Sequence, residues 1–103
     1  MHRRMNNDDM RNPLDERVAE IGQALAQPTR LQILRLLAKG ELCGCEIVPE
    51  FELDQSGVSR HLTALRRAGL IDSRRDGVRI YWKLADQRIV ELLRLAGEIA
   101  QLR

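Results

Sequence analysis

Asp54-Gln55-Ser56-Gly57-Val58-Ser59-Arg60-His61-Leu62-Thr63-Ala64-Leu65-Arg66-Arg67-Ala68-Gly69, followed by Arg74-Arg75-Asp76-Gly77-Val78-Arg79-Ile80-Tyr81-Trp82-Lys83-Leu84, reads as a helix and then a hairpin. Asp54 offers a side-chain oxygen to the free amides of a helix start. Val58, Leu62 and Leu65 recur at helical spacing on one face of Gln55–Ala68, and Gly69 supplies the stop. Between them lie Gln55, Ser56, Ser59, Arg60, Thr63 and Arg66, a polar outer face. Asp76-Gly77 between two strand-like runs signals a tight hairpin turn. Residues 55–83 hold seven basic side chains against two acidic ones, a net +5 on a chain of net +2, so the remainder carries −3. A basic third on an otherwise acidic chain points to one surface that faces a polyanion.

The flanks complete the pattern. Residues 1–13 are polar, end at Pro13 and read as a flexible N-terminal tail, which leaves 14–103 as the folded domain. Leu14, Val18, Ile21 and Leu25 follow helical spacing. Pro28 suits the first turn of a second helix, in which Leu31, Ile33, Leu34, Leu36, Leu37 and Ala38 leave little polar surface. That helix belongs at the centre of the core, and Lys39-Gly40 stops it. In Glu41-Leu42-Cys43-Gly44-Cys45-Glu46-Ile47-Val48-Pro49, Cys43 takes an N-cap-like place with Glu46 at the third helical position. Pro49 cannot donate to the Cys45 carbonyl, so the helix either kinks near Cys45 or becomes regular only near Pro49. Ala85-Asp86 opens a last helix striped by Ile89, Leu92, Leu93, Ala96, Ile99 and Leu102. The fold class is mainly α with a small β-hairpin: a winged helix-turn-helix of five helices and a two-stranded wing.

A polar-faced helix followed by a basic hairpin fits double-stranded DNA. The helix enters the major groove, where Gln pairs with adenine, Arg with guanine, and Ser or Thr with either bases or phosphates. Gln55, Ser56, Ser59, Arg60, Thr63 and Arg66 supply those groups, and His61 faces either the groove or the core turn. Arg74, Arg75 and Arg79 bring the wing to a minor groove or the backbone. A reading from a different class is a helical dimer that serves only as a protein-interaction module, with these polar residues as plain surface.

Composition narrows the classes further. The chain of 103 residues makes one domain with a thin core, which a second subunit would enlarge. No apolar run approaches the ~18 residues of a membrane helix. Met1-His2-Arg3-Arg4 is basic, but polar residues follow it, so no secretory signal is expected and the location is taken as cytoplasmic, with reduced thiols. His2, His61 and the scattered carboxylates form no acid–base or nucleophilic set, so no enzyme is expected.

Cys43 and Cys45 stand two apart. On a regular helix such side chains point to different sides. At a distorted helix start both sulfurs can converge on one soft ion, and Gly44 and Pro49 each weaken a regular helix. Free amides at a helix N-terminus lower a thiol's pKa, and the thiolate prefers thiophilic ions. Oxidation is the competing chemistry, although a disulfide between cysteines two apart is expected to be strained.

Pro28-Thr29-Arg30-Leu31-Gln32-Ile33-Leu34, Glu41-Leu42-Cys43-Gly44-Cys45-Glu46-Ile47, Val58-Ser59-Arg60-His61-Leu62 and Leu65-Arg66-Arg67-Ala68-Gly69-Leu70-Ile71 resemble the ArsR/SmtB repressors in order and spacing, over about residues 15–100. The resemblance implies a homodimer that blocks a promoter at an inverted-repeat operator and releases it when an inducer binds. It also implies an interface from the first and last helices: Leu14, Val18 and Ile21 with Ile89, Leu92, Leu93, Ala96 and Ile99. A dimer places two recognition helices one helical turn apart. Arsenic sensors of the family carry Glu-Leu-Cys-x-Cys here, many with a third cysteine three residues later; Val48 holds that place. The implied inducer is As(III) or Sb(III) on Cys43 and Cys45, with a third ligand from water or a small thiol, or only two protein ligands if the arsenical is organic. Cd(II)- and Pb(II)-type sensors draw further ligands from the tail, where His2, Asp8 and Asp9 are the donors. The family's zinc site on the last helix needs His, which this helix lacks beside Asp86, and no permanent cofactor is expected. Chelation would distort residues 43–45 and tilt the reading helices out of register. The alternative within the same fold is a repressor that responds to thiol oxidation.

Overall fold

Asn12 opens the first helix: its Oδ1 accepts the Leu14 N–H at 2.9 Å, and Pro13 takes the first helical position, where a missing N–H costs nothing. The computed structural model describes residues 12–102, so the tail donors His2, Asp8 and Asp9 fall outside the described residues. Helix α1 (Pro13–Leu25) therefore begins ahead of the expected domain boundary, which cuts its first turn. The Ala26-Gln27 break leads into α2 (Pro28–Leu37). Strand β1 (Leu42–Cys43), helix α3 (Gly44–Ile47) and a 3-10 turn at Val48–Glu50 follow, then α4 (Gln55–Arg67), β2 (Ile71–Asp76), β3 (Arg79–Leu84) and α5 (Arg88–Gln101).

The wing has three strands, not the two that the sequence announces. The order is β1-β3-β2, all antiparallel, with Leu42 opposite Trp82 and Cys43 opposite Tyr81. A two-residue strand carries too little periodicity to be read in advance. The hairpin register pairs Asp76 with Arg79, so the loop is Gly77-Val78. Gly77 has φ +64° and Val78 a negative φ, the sign pattern of a two-residue turn with glycine at its first central position. Neither arrangement expected around Pro49 occurs: regular helix begins at Gly44 and stops at Ile47, Val48 still donates to the Gly44 carbonyl, and the chain then tightens into the 3-10 turn that holds Pro49.

The core sits under α2 and α4. Ile33, Leu34 and Leu37 of α2 meet Val58, Leu62 and Leu65 of α4, with Ile47, Ile71, Trp82 and Leu84 closing the cluster. At the end of α4, Gly69 (φ +81°) lets Leu70 N–H return to the Leu65 carbonyl at 3.0 Å and its own N–H to Arg66 at 2.9 Å. Those bonds aim Leu70-Ile71 into the core and start β2.

The apolar stripes of α1 and α5 divide. Leu14, Val18, Leu92, Ala96 and Ile99 are exposed, and Ile21 and Leu93 are partly buried against the core. Ile89, expected at the subunit interface, is instead a core residue at 7% exposure. Helical spacing is the same for a core contact and an interface contact, so the sequence pattern could not separate them. Of the two settings that the sequence leaves open for His61, groove or core turn, the structure shows contact with the core side. The His61 Nδ1 accepts from Arg30 Nε of α2 at 3.1 Å, so this imidazole links α2 to α4. Partial burial, then the charges of Arg30 and Arg60, hold its pKa below the ordinary histidine value.

Ile33 is fully buried, so Ile33→Ala is expected to lower unfolding free energy by about 2–5 kcal/mol in chemical denaturation; an unchanged midpoint would remove α2 from the centre of the core. The His61 shift has a sign. The folded chain binds this proton less readily than the unfolded chain, so stability falls as pH drops below the ordinary histidine range. Melting temperatures measured between pH 7 and pH 5 should fall less steeply for His61→Gln than for the parent, and equal slopes would refute the link.

Candidate nucleic-acid interface and dithiol site

Asp54 caps α4 through Oδ1, which accepts the Gly57 N–H at 2.8 Å and the Ser56 hydroxyl at 3.2 Å. Those two bonds, the Gly57 amide first, hold its carboxyl below the usual range, so it stays charged at the helix start. With the apolar face of α4 committed to the core, Gln55, Ser56, Ser59, Arg60 and Thr63 line one outer concavity together with Arg67. Arg67 was not among the residues singled out from sequence. The signal was there: it stands four residues beyond Thr63 and eight beyond Ser59, on the same helical face.

A second groove runs between α4 and the wing, lined by Ser59, Thr63, Arg66, Ser73, Arg74 and Arg75, with Ile80 and Trp82 at its side. Arg66 donates to Ser73 Oγ at 3.3 Å and lies over the Trp82 ring, 5.8 Å from its centroid. This stacking docks the helix on the sheet and holds the guanidinium at the groove wall. Arg75 pairs in register with Ile80, and Arg79 stands next to the loop, where Val78 is fully exposed.

Arg74 lines the same groove and is also tied within the protomer. Its guanidinium makes a bidentate pair with Glu41, Nη2 to Oε1 at 2.7 Å and Nε to Oε2 at 3.0 Å, and lies over Tyr81 at 4.6 Å. The hydrogen bond from Arg74 lowers the Glu41 pKa, and that same bond raises the pKa of Arg74. Much of its positive charge is thus answered within the protomer. Glu41 lies 33 residues away in sequence, and no local pattern announces the pair.

The cysteines occupy the junction of β1 and α3. Cys43 is the N-cap: its Sγ accepts the Cys45 N–H at 3.2 Å, while Glu46 Oε1 accepts the Cys43 N–H at 2.9 Å. Glu46 therefore occupies the third helical position that the sequence assigns to it. The two sulfurs are in bonding contact as a disulfide, with Cα atoms 5.1 Å apart. That differs from the reduced, separated thiols of a regular helix, because Cys43 is still in extended backbone while Cys45 lies in the first turn. Cys43 is buried and Cys45 is exposed. Among the described residues no group of three or more His, Cys, Asp or Glu side chains is placed to hold a metal ion, so the two sulfurs are the donors the described residues bring together here. Asp86, at the start of α5, is paired with Arg88 at 2.6 Å, and that bond, reinforced by the Arg88 amide, lowers its pKa to about 2.

Comparison with known proteins agrees with this geometry. Residues 27–73 match the family described as bacterial regulatory protein, arsR family. An uncharacterized HTH-type transcriptional regulator of Methanocaldococcus jannaschii is 39% identical over 85 residues, covering 82% of this chain and 96% of that protein. A transcriptional repressor SmtB homolog of Synechocystis is 38% identical, covering 84% of this chain and 65% of that one. The arsenic resistance transcriptional regulator ArsR1 of Pseudomonas putida is 44% identical over 63 residues, 60% of this chain and 49% of its own length. Among solved structures, the homodimeric winged helix-turn-helix DNA-binding domain of a possible ArsR-family regulator from Mycobacterium bovis superposes with a TM-score of 0.78 at 34% identity, covering 98% of this chain and 91% of that one. These relatives are transcriptional regulators, not enzymes, and this chain belongs to the ArsR/SmtB family of winged helix-turn-helix DNA-binding regulators.

Proposed function

We propose that this chain is a homodimeric repressor of an inverted-repeat operator, released when a thiophilic inducer, As(III) or Sb(III), binds Cys43 and Cys45. The observation that carries the reading is the convergence of both sulfurs at the start of α3, the helix that precedes the recognition helix α4, with Cys43 on the strand paired with the wing. The exposed stripe of α1 and α5 supports a second copy of the chain as partner, through Leu14, Val18, Leu92 and Ile99. The arsenic regulator of Pseudomonas putida supports the inducer class. Cd(II) and Pb(II) remain thiophilic candidates, for which two sulfurs alone are a sparse ligand set.

The DNA-contacting set is Gln55, Ser56, Ser59, Arg60 and Thr63 on the outer face of α4, extended by Arg67, with Arg66 and Arg75 along the groove and Arg79 at the wing tip. Arg74 contributes less than its charge suggests, because Glu41 holds it. His61 acts through Arg30 and the seating of α4, not through a base. Release needs only a modest difference in inducer affinity between the two states, about 1–3 kcal/mol of coupling. The chelate must hold two sulfurs around one atom, and β1 passes any change at Cys43 directly to β3.

A second reading has one observation in its favour, the bonding contact between the sulfurs. In it, oxidation to the disulfide is itself the signal, and DNA release follows oxidant with no metalloid present.

Operator affinity should drop on adding arsenite to the reduced parent and stay unchanged for Cys43→Ser and Cys45→Ser; release from both variants like that from the parent would remove the thiols from sensing. Arg60→Ala should cost about 1–3 kcal/mol at the operator and relax specificity. Arg75→Ala should instead weaken all sequences alike and reduce the slope of affinity against salt by roughly 1. A gel-shift series at several salt concentrations separates the two, and equal effects of both substitutions would contradict the assignment of α4 to bases and the wing to backbone.

A further inference from the structure

Arg74 and Glu41 meet across a strand. In the order β1-β3-β2, Arg74 stands on the edge strand, and Glu41 immediately precedes β1 on the far side of β3. Register decides which way Arg74 points. It pairs with Tyr81 and its guanidinium lies over that ring, whereas Ser73 pairs with Trp82 and receives Arg66 of α4. Neighbouring strand residues point to opposite faces of a sheet. Ser73 therefore shares the face toward α4 with Arg66, and the Arg74 head is folded back over the other face, reaching across β3 to Glu41.

The pair occupies the fork that a phosphate would take. Nε and Nη2 of Arg74 both donate to the Glu41 carboxylate, at 3.0 Å and 2.7 Å. A guanidinium binds carboxylate and phosphate with that same planar geometry. The two anions are alternatives for one edge, and a phosphate brought beside the occupied edge meets a like charge. The tie is also weak. Arg74 and Glu41 keep 53% and 30% of their side-chain surface exposed, and ion pairs in contact with water contribute little. Only side-chain torsions separate the two placements, because no strand lies beyond β2 and Arg74 already belongs to the wall of the α4–wing groove. That wall also holds Arg66, Arg75 and the hydroxyls of Ser59, Thr63 and Ser73, with no carboxylate among the described residues that line it.

We propose that Glu41 is an internal competitor for the DNA backbone: it withholds Arg74 from a phosphate at the α4–wing groove and so holds down sequence-independent affinity. The inference rests on the reading that this groove faces DNA. Phosphate contacts fix a protein on the duplex without reading its sequence. What Glu41 removes is therefore grip on any duplex, while the groups that α4 offers to bases are untouched. Neutralising the carboxylate frees the Arg74 head to turn past the sheet edge and adds one phosphate contact per protomer, two per dimer.

A duplex of arbitrary sequence is enough for the test. The full chain, Glu41→Gln, Arg74→Ala and the double variant are each titrated into the labelled duplex at several salt concentrations, following fluorescence anisotropy. Glu41→Gln should bind roughly three- to tenfold tighter, the worth of one exposed ion pair in each protomer. Its slope of log affinity against log salt should steepen by about 2, since each new phosphate contact releases counterions. A pair that served only to brace the wing would leave that slope alone. Arg74→Ala should abolish both changes in the Glu41→Gln background, and should cost that variant more than it costs the parent. Glu41→Asp, one methylene shorter, should move both readouts in the same direction by less. A gain that survives Arg74→Ala would leave Glu41 as a plain negative charge near DNA, and weaker binding by Glu41→Gln would make it a support that orients Arg74; either result overturns the competition. If the parent grips no duplex even at low salt, the DNA reading and this inference fall together.

Discussion

Two residues of strand hold the molecule's working parts in one frame. Leu42 and Cys43 pair along β3, opposite Trp82 and Tyr81, and the same Cys43 caps α3. The pairing fixes the cysteine motif to the wing on one side, while α3 leads through a 3-10 turn to α4 on the other. Trp82 then packs into the core and receives Arg66 of α4 over its ring. Without β1 the wing would be a two-stranded ribbon, which is marginal alone in water. With it, a change of geometry at Cys43 has only one residue pair to cross before it reaches β3.

The charges on this frame are not equivalent, and geometry decides which are available to a polyanion. Glu41 engages Arg74 from the far end of β1, and Tyr81 lies beneath the guanidinium. Arg30 meets the imidazole of His61 inside the α2–α4 contact, where partial burial and two nearby guanidinium groups disfavour a further proton. Arg60 and Arg67 lie on the outer face of α4, and Arg75 lines the groove beside the wing. The net basic charge of residues 55–83 is therefore concentrated on one side by ion pairing as well as by sequence.

The dithiol and the reading helix share a wall. Packing Leu62 inward from α4 and Trp82 inward from β3 leaves a cavity beside them, with Gln55, Ser59 and Arg79 also in its wall, and the Cys43–Gly44–Cys45 turn closes one side of it. Small residues keep that space open: Gly44 adds no side chain, and Val48 reaches less far than a longer residue would. Residues of α4, of the wing and of the cysteine turn thus line one cavity, within direct contact distance of anything bound there.

Much of this was legible in the chain itself. Asp54 and Gly69 marked both ends of α4, Asp76-Gly77 marked the hairpin, Cys43 with Glu46 marked the cap of α3, and the Val58–Leu62–Leu65 stripe fixed which face of α4 looks outward. These are signals between residues near one another in sequence, where backbone geometry alone dictates the partner. Tertiary structure decided what depends on distant partners: the third strand, the Glu41–Arg74 pair, the turn of His61 toward Arg30, the burial of Ile89, and the cavity that forms beside the two sulfurs. Periodicity states that a side chain is apolar or polar on a given face, but whether that face meets the core, a second subunit, an ion partner or open space is set only when the whole chain has packed.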